Sequence, residues 1–176
     1  KGLLLYGVNG SGKSCFSKSL GIAVVMAQMG MYVPADYFEL CPYDRMFTRI
    51  SSEDNIYKGH SSFVVEMLEI RSIINHADER SIIIGDEMCK GTENTSAISI
   101  MTATVNMMSR KKSTFVFATH LHSLMDLSAI DNVKHNIHVK HTGVEIRGDV
   151  VLYKRKLEDG QGNNMYGVKI ASAILD

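Results

Sequence analysis

The sequence predicts an α/β fold, a mainly parallel sheet flanked by helices with antiparallel edge strands near the C-terminus. Three observations predict it. Leu3-Leu4-Leu5-Tyr6 and Ile82-Ile83-Ile84 are short apolar runs of the kind found in strands covered on both faces. Stretches with helical periodicity separate such runs, and the last third of the chain alternates apolar and polar residues. At 176 residues the chain is long enough for one such domain. A domain of this size buries roughly 70% of the surface its unfolded chain exposes, and there is no room for a second full domain. Hydrophobic residues make up 45% and charged residues 22%, which excludes a disordered chain, a collagen-like repeat or a coiled coil.

The elements follow in order. Residues 3–6 form the first strand, ended by Gly7, and a glycine-rich turn leads into a helix over 13–29 with a wide apolar arc (Phe16, Leu20, Val24, Ala27) and Gly30 at its C-terminal end. Residues 32–34 and 46–50 are candidate short strands, and 51–59 is a loop. Phe63, Met67, Ile70 and Ile74 recur at helical spacing, predicting a helix over 62–77. Residues 81–85 form a buried strand that delivers Asp86-Glu87 to its carboxyl end. Ile98, Met101, Val105 and Met108 mark another helix, and 114–118 another strand. In the tail, 133–139, 144–147 and 150–157 alternate as antiparallel edge strands would, and 166–175 reads as a short closing helix.

Charge and cysteine usage narrow the classes further. Nineteen Lys and Arg balance nineteen Asp and Glu, so no global positive field draws this segment onto nucleic acid. Between Lys134 and Lys156 lies a locally basic stretch with His135, His138 and His141, which reads as a solvated edge hairpin. Three cysteines (Cys15, Cys41, Cys89) without a C-x-x-C pair fit a reducing compartment. The longest apolar stretch, 22–31, is interrupted by Gln28 and Gly30 and is too short to span a bilayer. The expectation is a soluble intracellular protein with no membrane partner, its compartment (mitochondrion, nucleus, or viral or bacterial cytoplasm) left open. The first residue is Lys1 rather than Met, just ahead of the glycine-rich turn, so residues 1–176 read as one domain of a longer protein.

Gly7-Val8-Asn9-Gly10-Ser11-Gly12-Lys13-Ser14 matches G-x-x-x-x-G-K-[ST], the P-loop pattern, between a strand and a helix as that pattern requires. Its glycines let successive backbone N–H groups turn inward as an anion nest at the positive end of the following helix. In such a loop Lys13 reaches the β- and γ-phosphates of ATP, and the Ser14 hydroxyl ligates Mg²⁺. Asp86 can hold Mg²⁺ through water, and Glu87 can orient or deprotonate the attacking water. His120, after the next strand, can hydrogen-bond a γ-phosphate or that water. His120-Leu121-His122 lacks a third partner for any other metal. The Ser61 side chain suits the N-cap of the helix that follows it.

These residues carry a family likeness. The chain resembles the ATPase domain of MutS-type DNA mismatch-repair proteins, among the ABC-like P-loop ATPases. Gly59-His60-Ser61-Ser62-Phe63-Val64-Val65-Glu66-Met67 is similar to that family's G-R-S-T-F-M-x-E-M motif. Asp86-Glu87-Met88-Cys89-Lys90-Gly91-Thr92 resembles D-E-x-G-R-G-T, Ala118-Thr119-His120 resembles A-T-H, and Tyr166-Gly167-Val168 resembles a late Y-G-[IV]. The chain departs from the pattern where Val8 replaces Pro, His60 and Lys90 replace Arg, and Glu93 follows Gly91-Thr92 in place of Ser.

The resemblance implies an ATP-binding and ATP-hydrolysing domain, weakly active in isolation, that couples nucleotide state to mismatched-DNA binding. It implies catalytic roles for Glu87 and His120. Ser61 would reach the γ-phosphate bound by the other subunit of a homo- or heterodimer formed through the ATPase face. Mismatched double-stranded DNA would be contacted by regions outside residues 1–176, and the C-terminal dimerisation segment would also lie outside them. Two other readings compete: a nucleotide switch in DNA recombination with little or no hydrolysis, and a small-molecule P-loop kinase, for which no Arg-rich acceptor lid is seen. No L-S-G-G-Q motif precedes Asp86, which disfavours a transporter ATPase.

Overall fold

The computed structural model of the chain describes residues 1–50, 62–89, 91–147 and 150–162. Strand β1 (Gly2–Tyr6) leads through the glycine-rich turn into helix α1 (Lys13–Gln28). Edge strand β2 (Arg45–Arg49), helix α2 (Ser62–His76), strand β3 (Ser81–Asp86), helix α3 (Asn94–Arg110) and strand β4 (Thr114–Thr119) follow. A 3₁₀ turn (His122–Asp126), a one-turn helix α4 (Ser128–Asp131) and a second 3₁₀ turn (Lys134–Asn136) then carry the chain to the long hairpin of β5 (Ile137–Arg147) and β6 (Val150–Asp159).

The six strands form one sheet in the order β2-β3-β4-β1-β5-β6. Its two faces are covered separately. Leu4, Tyr6, Ile83, Phe115 and Phe117 pack with Ile70 and Ile73 of α2, Met101, Val105 and Met108 of α3, and Leu124 and Ile130 beyond β4. On the opposite face Ile82 and Ile84 pack against Val24 of α1, with Phe38, Tyr43 and Met46 alongside. The alternation Ile82, Ile83, Ile84 therefore feeds both cores, which is why this strand is apolar without a break. Phe115 and Phe117 stack at 4.9 Å between centroids.

The expected fold class is corrected by this topology. Instead of an ABC-ATPase-like P-loop NTPase sheet with several antiparallel edge strands, the described residues form a mixed six-stranded α/β sheet. Strand β5 runs parallel to β1, with Gly2 opposite Ile137 and Tyr6 opposite His141. Only β6 is antiparallel to its neighbour among the described residues. Period-two alternation reports which face of a strand is wet and says nothing of its direction. Direction is set by the connection: residues 120–136 cross over β1 and bring β5 in parallel to it, whereas β6 returns antiparallel beside β5.

Two other expectations change, and two more lie beyond what is described. The segments 133–139 and 144–147 are largely one strand, joined through an irregularity between Thr142 and Val144, and 134–136 is a 3₁₀ turn. Residues 32–34 form no strand: Tyr32 is fully exposed, and Pro34 has no N–H to give a neighbour. The 51–59 loop and the 166–175 helix lie outside the described residues. Among the described residues no helix is long and apolar enough to cross a membrane.

Candidate functional site

The carboxyl ends of β1, β3 and β4 are brought level by parallel register, Tyr6 opposite Thr119 and Asp86 opposite Ala118. Every sequence-predicted site residue within the described regions lies at or just beyond these strand ends. The turn after β1 needs glycine at two places. Gly7 (φ +151°) passes so close to the Thr142 hydroxyl that a Cβ would overlap it, and Gly12 (φ +102°) is the left-handed residue from which α1 starts. No side chain caps α1 there. The first-turn N–H groups of the helix, which have no intrahelical acceptor, thus face the turn with the positive end of the helix dipole behind them.

Lys13 is almost completely buried and folds back over the turn. Its Nζ donates to the Gly7 carbonyl at 2.6 Å and the Val8 carbonyl at 3.0 Å, and lies 3.5 Å from Glu87 Oε1. The Ser11 N–H donates to the Val8 carbonyl at 3.3 Å. The turn is also tied to a distant part of the chain: Thr142 of β5 donates to the Tyr6 carbonyl at 3.4 Å, and its Oγ1 lies 2.5 Å from Ser11 Oγ, with Ser11 buried.

Asp86 and Glu87 leave β3 on a turn that departs from ordinary backbone geometry. Glu87 (φ +48°) and Cys89 (φ +67°) are both left-handed, conformations that cost a non-glycine residue of order 1–3 kcal/mol each. The Glu87 N–H donates to the Ala118 carbonyl of β4 at 2.9 Å, and the Cys89 N–H to Glu66 Oε1 of α2 at 2.7 Å. Asp86 is buried, and its Oδ1 has no hydrogen-bond partner among the described residues. Such an orphaned acceptor beside the loop fits a hard cation, for which oxygen ligands are the natural set. Among the described residues no cluster of three or more His, Cys, Asp or Glu could hold a metal by itself.

His120 is exposed at the end of β4, where its carbonyl accepts from the His122 N–H at 3.0 Å. The His122 ring lies 5.1 Å from that of Tyr6. Burial, with a smaller contribution from nearby His120, holds the His122 pKa below its ordinary value, against a weaker opposing pull from Asp126. Ser61, His60, Lys90 and Tyr166-Gly167-Val168 lie outside the described residues.

Two adjoining cavities open on the turn. One, about 340 Å³, is bounded by Asn9, Gly12, Lys13, Ser14, Cys15 and Glu87. The other, about 450 Å³, lies between the turn and the hairpin, where Phe16, Ser19, Thr142, Arg155 and Leu157 line it. The first is the space the sequence motifs anticipate. The second was not anticipated, because Thr142, Arg155 and Leu157 belong to no motif and reach the turn only through the pairing of β5 with β1. Glu66 sits inside a segment the resemblance singled out, yet nothing in that segment indicates that its carboxylate meets the Cys89 backbone.

A family model described as MutS domain V matches residues 3–175. The chain is 38% identical over 176 residues to a mitochondrial DNA mismatch repair protein mutS homolog of Sarcophyton glaucum, covering all of this chain and 18% of that protein. It is 41% identical over 181 residues to a putative DNA mismatch repair protein mutS homolog of Acanthamoeba polyphaga mimivirus, covering 99% of this chain and 16% of that protein. To the DNA mismatch repair protein MutS of Petrotoga mobilis it is 38% identical over 170 residues, 96% of this chain and 20% of that protein. The chain spans about a fifth of the length of these curated relatives. A match that runs through nearly every residue from β1 onward places the chain in the MutS family, as its domain V.

Proposed function

We propose that this domain binds ATP with Mg²⁺ in the turn between β1 and α1 and hydrolyses it, as the nucleotide-driven part of a protein that acts on mismatched double-stranded DNA. The observation that carries the reading is the position of Lys13. A buried ammonium sits at the start of an uncapped helix, over the glycine-rich turn, 3.5 Å from a carboxylate delivered by a separate strand. An anion of phosphate chemistry meets there the helix dipole, the nest of amides and one fixed positive charge.

The residues divide the work by chemistry. Gly7, Val8, Asn9, Gly10, Ser11 and Gly12 shape the nest, and Lys13 turns a donor from the loop carbonyls to the β- and γ-phosphate oxygens. Ser14 and Asp86 supply oxygens for Mg²⁺, which when bound offsets charge on the phosphates. Glu87 orients a water for in-line attack and takes up its proton as the bond from γ-phosphorus to the bridging oxygen breaks, leaving ADP and phosphate. His120, at the neighbouring strand end, hydrogen-bonds the γ-phosphate or that water. The cavity toward the hairpin has the size and lining for a nucleoside, with the Phe16 ring and the Arg155 guanidinium as the flat partners a base requires. Ser61 acts in trans at the γ-phosphate of a second copy or a related subunit, and DNA is held by other regions of the protein.

The test is a pair of variants in the full-length protein. Lys13→Ala is expected to abolish measurable ATP binding, whereas Glu87→Gln is expected to keep binding and lower hydrolysis by about 10²-fold or more. Unchanged nucleotide affinity in Lys13→Ala sinks the binding site. Unchanged turnover in Glu87→Gln removes the chemical role of that carboxylate, and ATP binding without turnover in the wild type leaves a nucleotide switch.

A further inference from the structure

The turn that presents Glu87 is held in its conformation from two sides, and only one of those sides is the sheet. At its start the Glu87 N–H is fixed by the Ala118 carbonyl at 2.9 Å, a continuation of the β3–β4 pairing. Two residues on, the chain has left the sheet, Cys89 has φ +67°, and its N–H is buried where no strand can accept from it. The acceptor is the Glu66 carboxylate, at 2.7 Å, from the second turn of α2.

Glu66 is an expensive choice for that task. It is as buried as the apolar residues around it, and a carboxylate removed from water needs strong partners. Arg49 is nearby, but its Nε is 3.9 Å from Glu66 Oε1 and only 2.7 Å from Glu69 Oε2, so the guanidinium gives its close contact to Glu69. Arg49 stands opposite Gly85 in the β2–β3 register, one residue before Asp86. Arg49 of the edge strand thus faces both carboxylates of α2, Glu69 closely and Glu66 at longer range, and Glu66 alone of the two reaches the Cys89 amide. An amide donor to a carboxylate is a short, charge-assisted bond with a defined direction, suited to holding a left-handed residue in place.

We infer that Glu66 is a positioning residue for hydrolysis: by accepting from the Cys89 N–H it fixes the left-handed turn 87–89 and so the direction in which Glu87 points toward Lys13 and the phosphate cavity. This rests on the role given to Glu87 above. Glu66 itself touches no nucleotide. Its effect belongs on kcat and not on nucleotide affinity, because the turn between β1 and α1 is built without it.

The experiment measures ATP affinity and kcat in the full-length protein for Glu66→Ala, Glu66→Gln, Glu66→Asp, Glu87→Gln and the double variant Glu66→Ala/Glu87→Gln. A loss of position at Glu87 is expected to lower kcat in Glu66→Ala by on the order of tenfold to 10²-fold while ATP affinity stays within about threefold. Glu66→Gln keeps an acceptor oxygen at the same reach and is expected to restore most of the rate. Glu66→Asp keeps the charge but withdraws the oxygen by one methylene, and is expected to stay slow. The double variant should be no slower than Glu87→Gln alone, since the two residues act through one position.

The inference is overturned if Glu66→Ala and Glu66→Asp turn over like wild type, if Glu66→Asp is active while Glu66→Gln is not, or if the losses in the double variant add. Should Glu66→Ala fail to fold, the contrast between Asp and Gln decides alone. If Glu87→Gln turns over normally, the fault lies with the role of Glu87 and not with the hydrogen bond from Cys89.

Discussion

Lys13 and Glu87 form a buried ion pair across the mouth of the site, 3.5 Å between Nζ and Oε1, with 4% and 10% of their side chains exposed. Lys13 begins α1, which follows β1, and Glu87 follows β3, so the pair joins the ends of two strands that the sheet order separates by β4. Without nucleotide, each charge is part of the other's environment. Glu87→Ala is expected to lower the stability of the nucleotide-free protein by about 1–3 kcal/mol, the cost of weakening the pairing of a buried ammonium that keeps two carbonyl acceptors. ATP should restore part of this loss by mass action. Chemical denaturation with and without ATP measures both effects, and equal stability of the variant and wild type would show that the pair contributes nothing.

Gly7 lies against the Thr142–Ser11 cross-link between the turn and the hairpin. An added Cβ would overlap the Thr142 hydroxyl and come within 2.8 Å of Ser11 Oγ, at a φ that side chains rarely adopt. Gly7→Ala is therefore expected to cost more than about 2 kcal/mol and to weaken ATP binding together with stability. Thr142→Val, which deletes one partner of the buried Ser11 bond without adding bulk, should cost about 1–2 kcal/mol and alter affinity less. Thermal melts and ATP titrations of the two variants separate crowding from loss of the bond.

The three thiols are expected to differ sharply in reactivity. Cys15 and Cys41 are exposed, whereas Cys89 is buried and burial pushes its thiol pKa from 9.0 up to about 12. At pH 8 a maleimide should label Cys15 and Cys41 and spare Cys89 until the protein unfolds. Because the folded pKa is the higher one, the stability tied to the neutral Cys89 thiol is complete below about 9 and is lost as pH rises toward about 12. Cys15 borders both cavities, so ATP should slow its labelling and leave Cys41 unaffected. Peptide mapping by mass spectrometry gives all three rates.

Tyr6 and His122 predict a stabilising substitution and a pH effect. The Tyr6 hydroxyl is buried with no partner among the described residues, and burial raises its pKa. Tyr6→Phe removes the orphaned group and keeps the ring against His122, so stability should hold or rise by up to about 1 kcal/mol. His122 has its pKa depressed below 6.5, so the unfolded chain takes up its proton first. Stability from the neutral ring is complete above 6.5 and declines as pH falls through the folded value. Denaturation between pH 7.5 and pH 5 should show this decline in wild type and a smaller one in His122→Phe.

What the sequence determined by itself is local. The β1 turn needs glycine because of its backbone angles, the apolar arc from Phe16 to Ala27 makes the segment after that turn a helix, and an isoleucine run buried on both faces must carry Asp86-Glu87 to a strand end. Each of these follows from neighbours within a few residues. The tertiary structure decided the direction of β5, the contact of Thr142 with Ser11 across 131 positions, the cavity beside Arg155, and the reach of Glu66 to Cys89. None of these has a period or a motif, because each depends on which strands pair and at what register. Those choices are set by crossover connections and by the packing of two cores, a free energy spread over the whole sheet that no short stretch of residues contains.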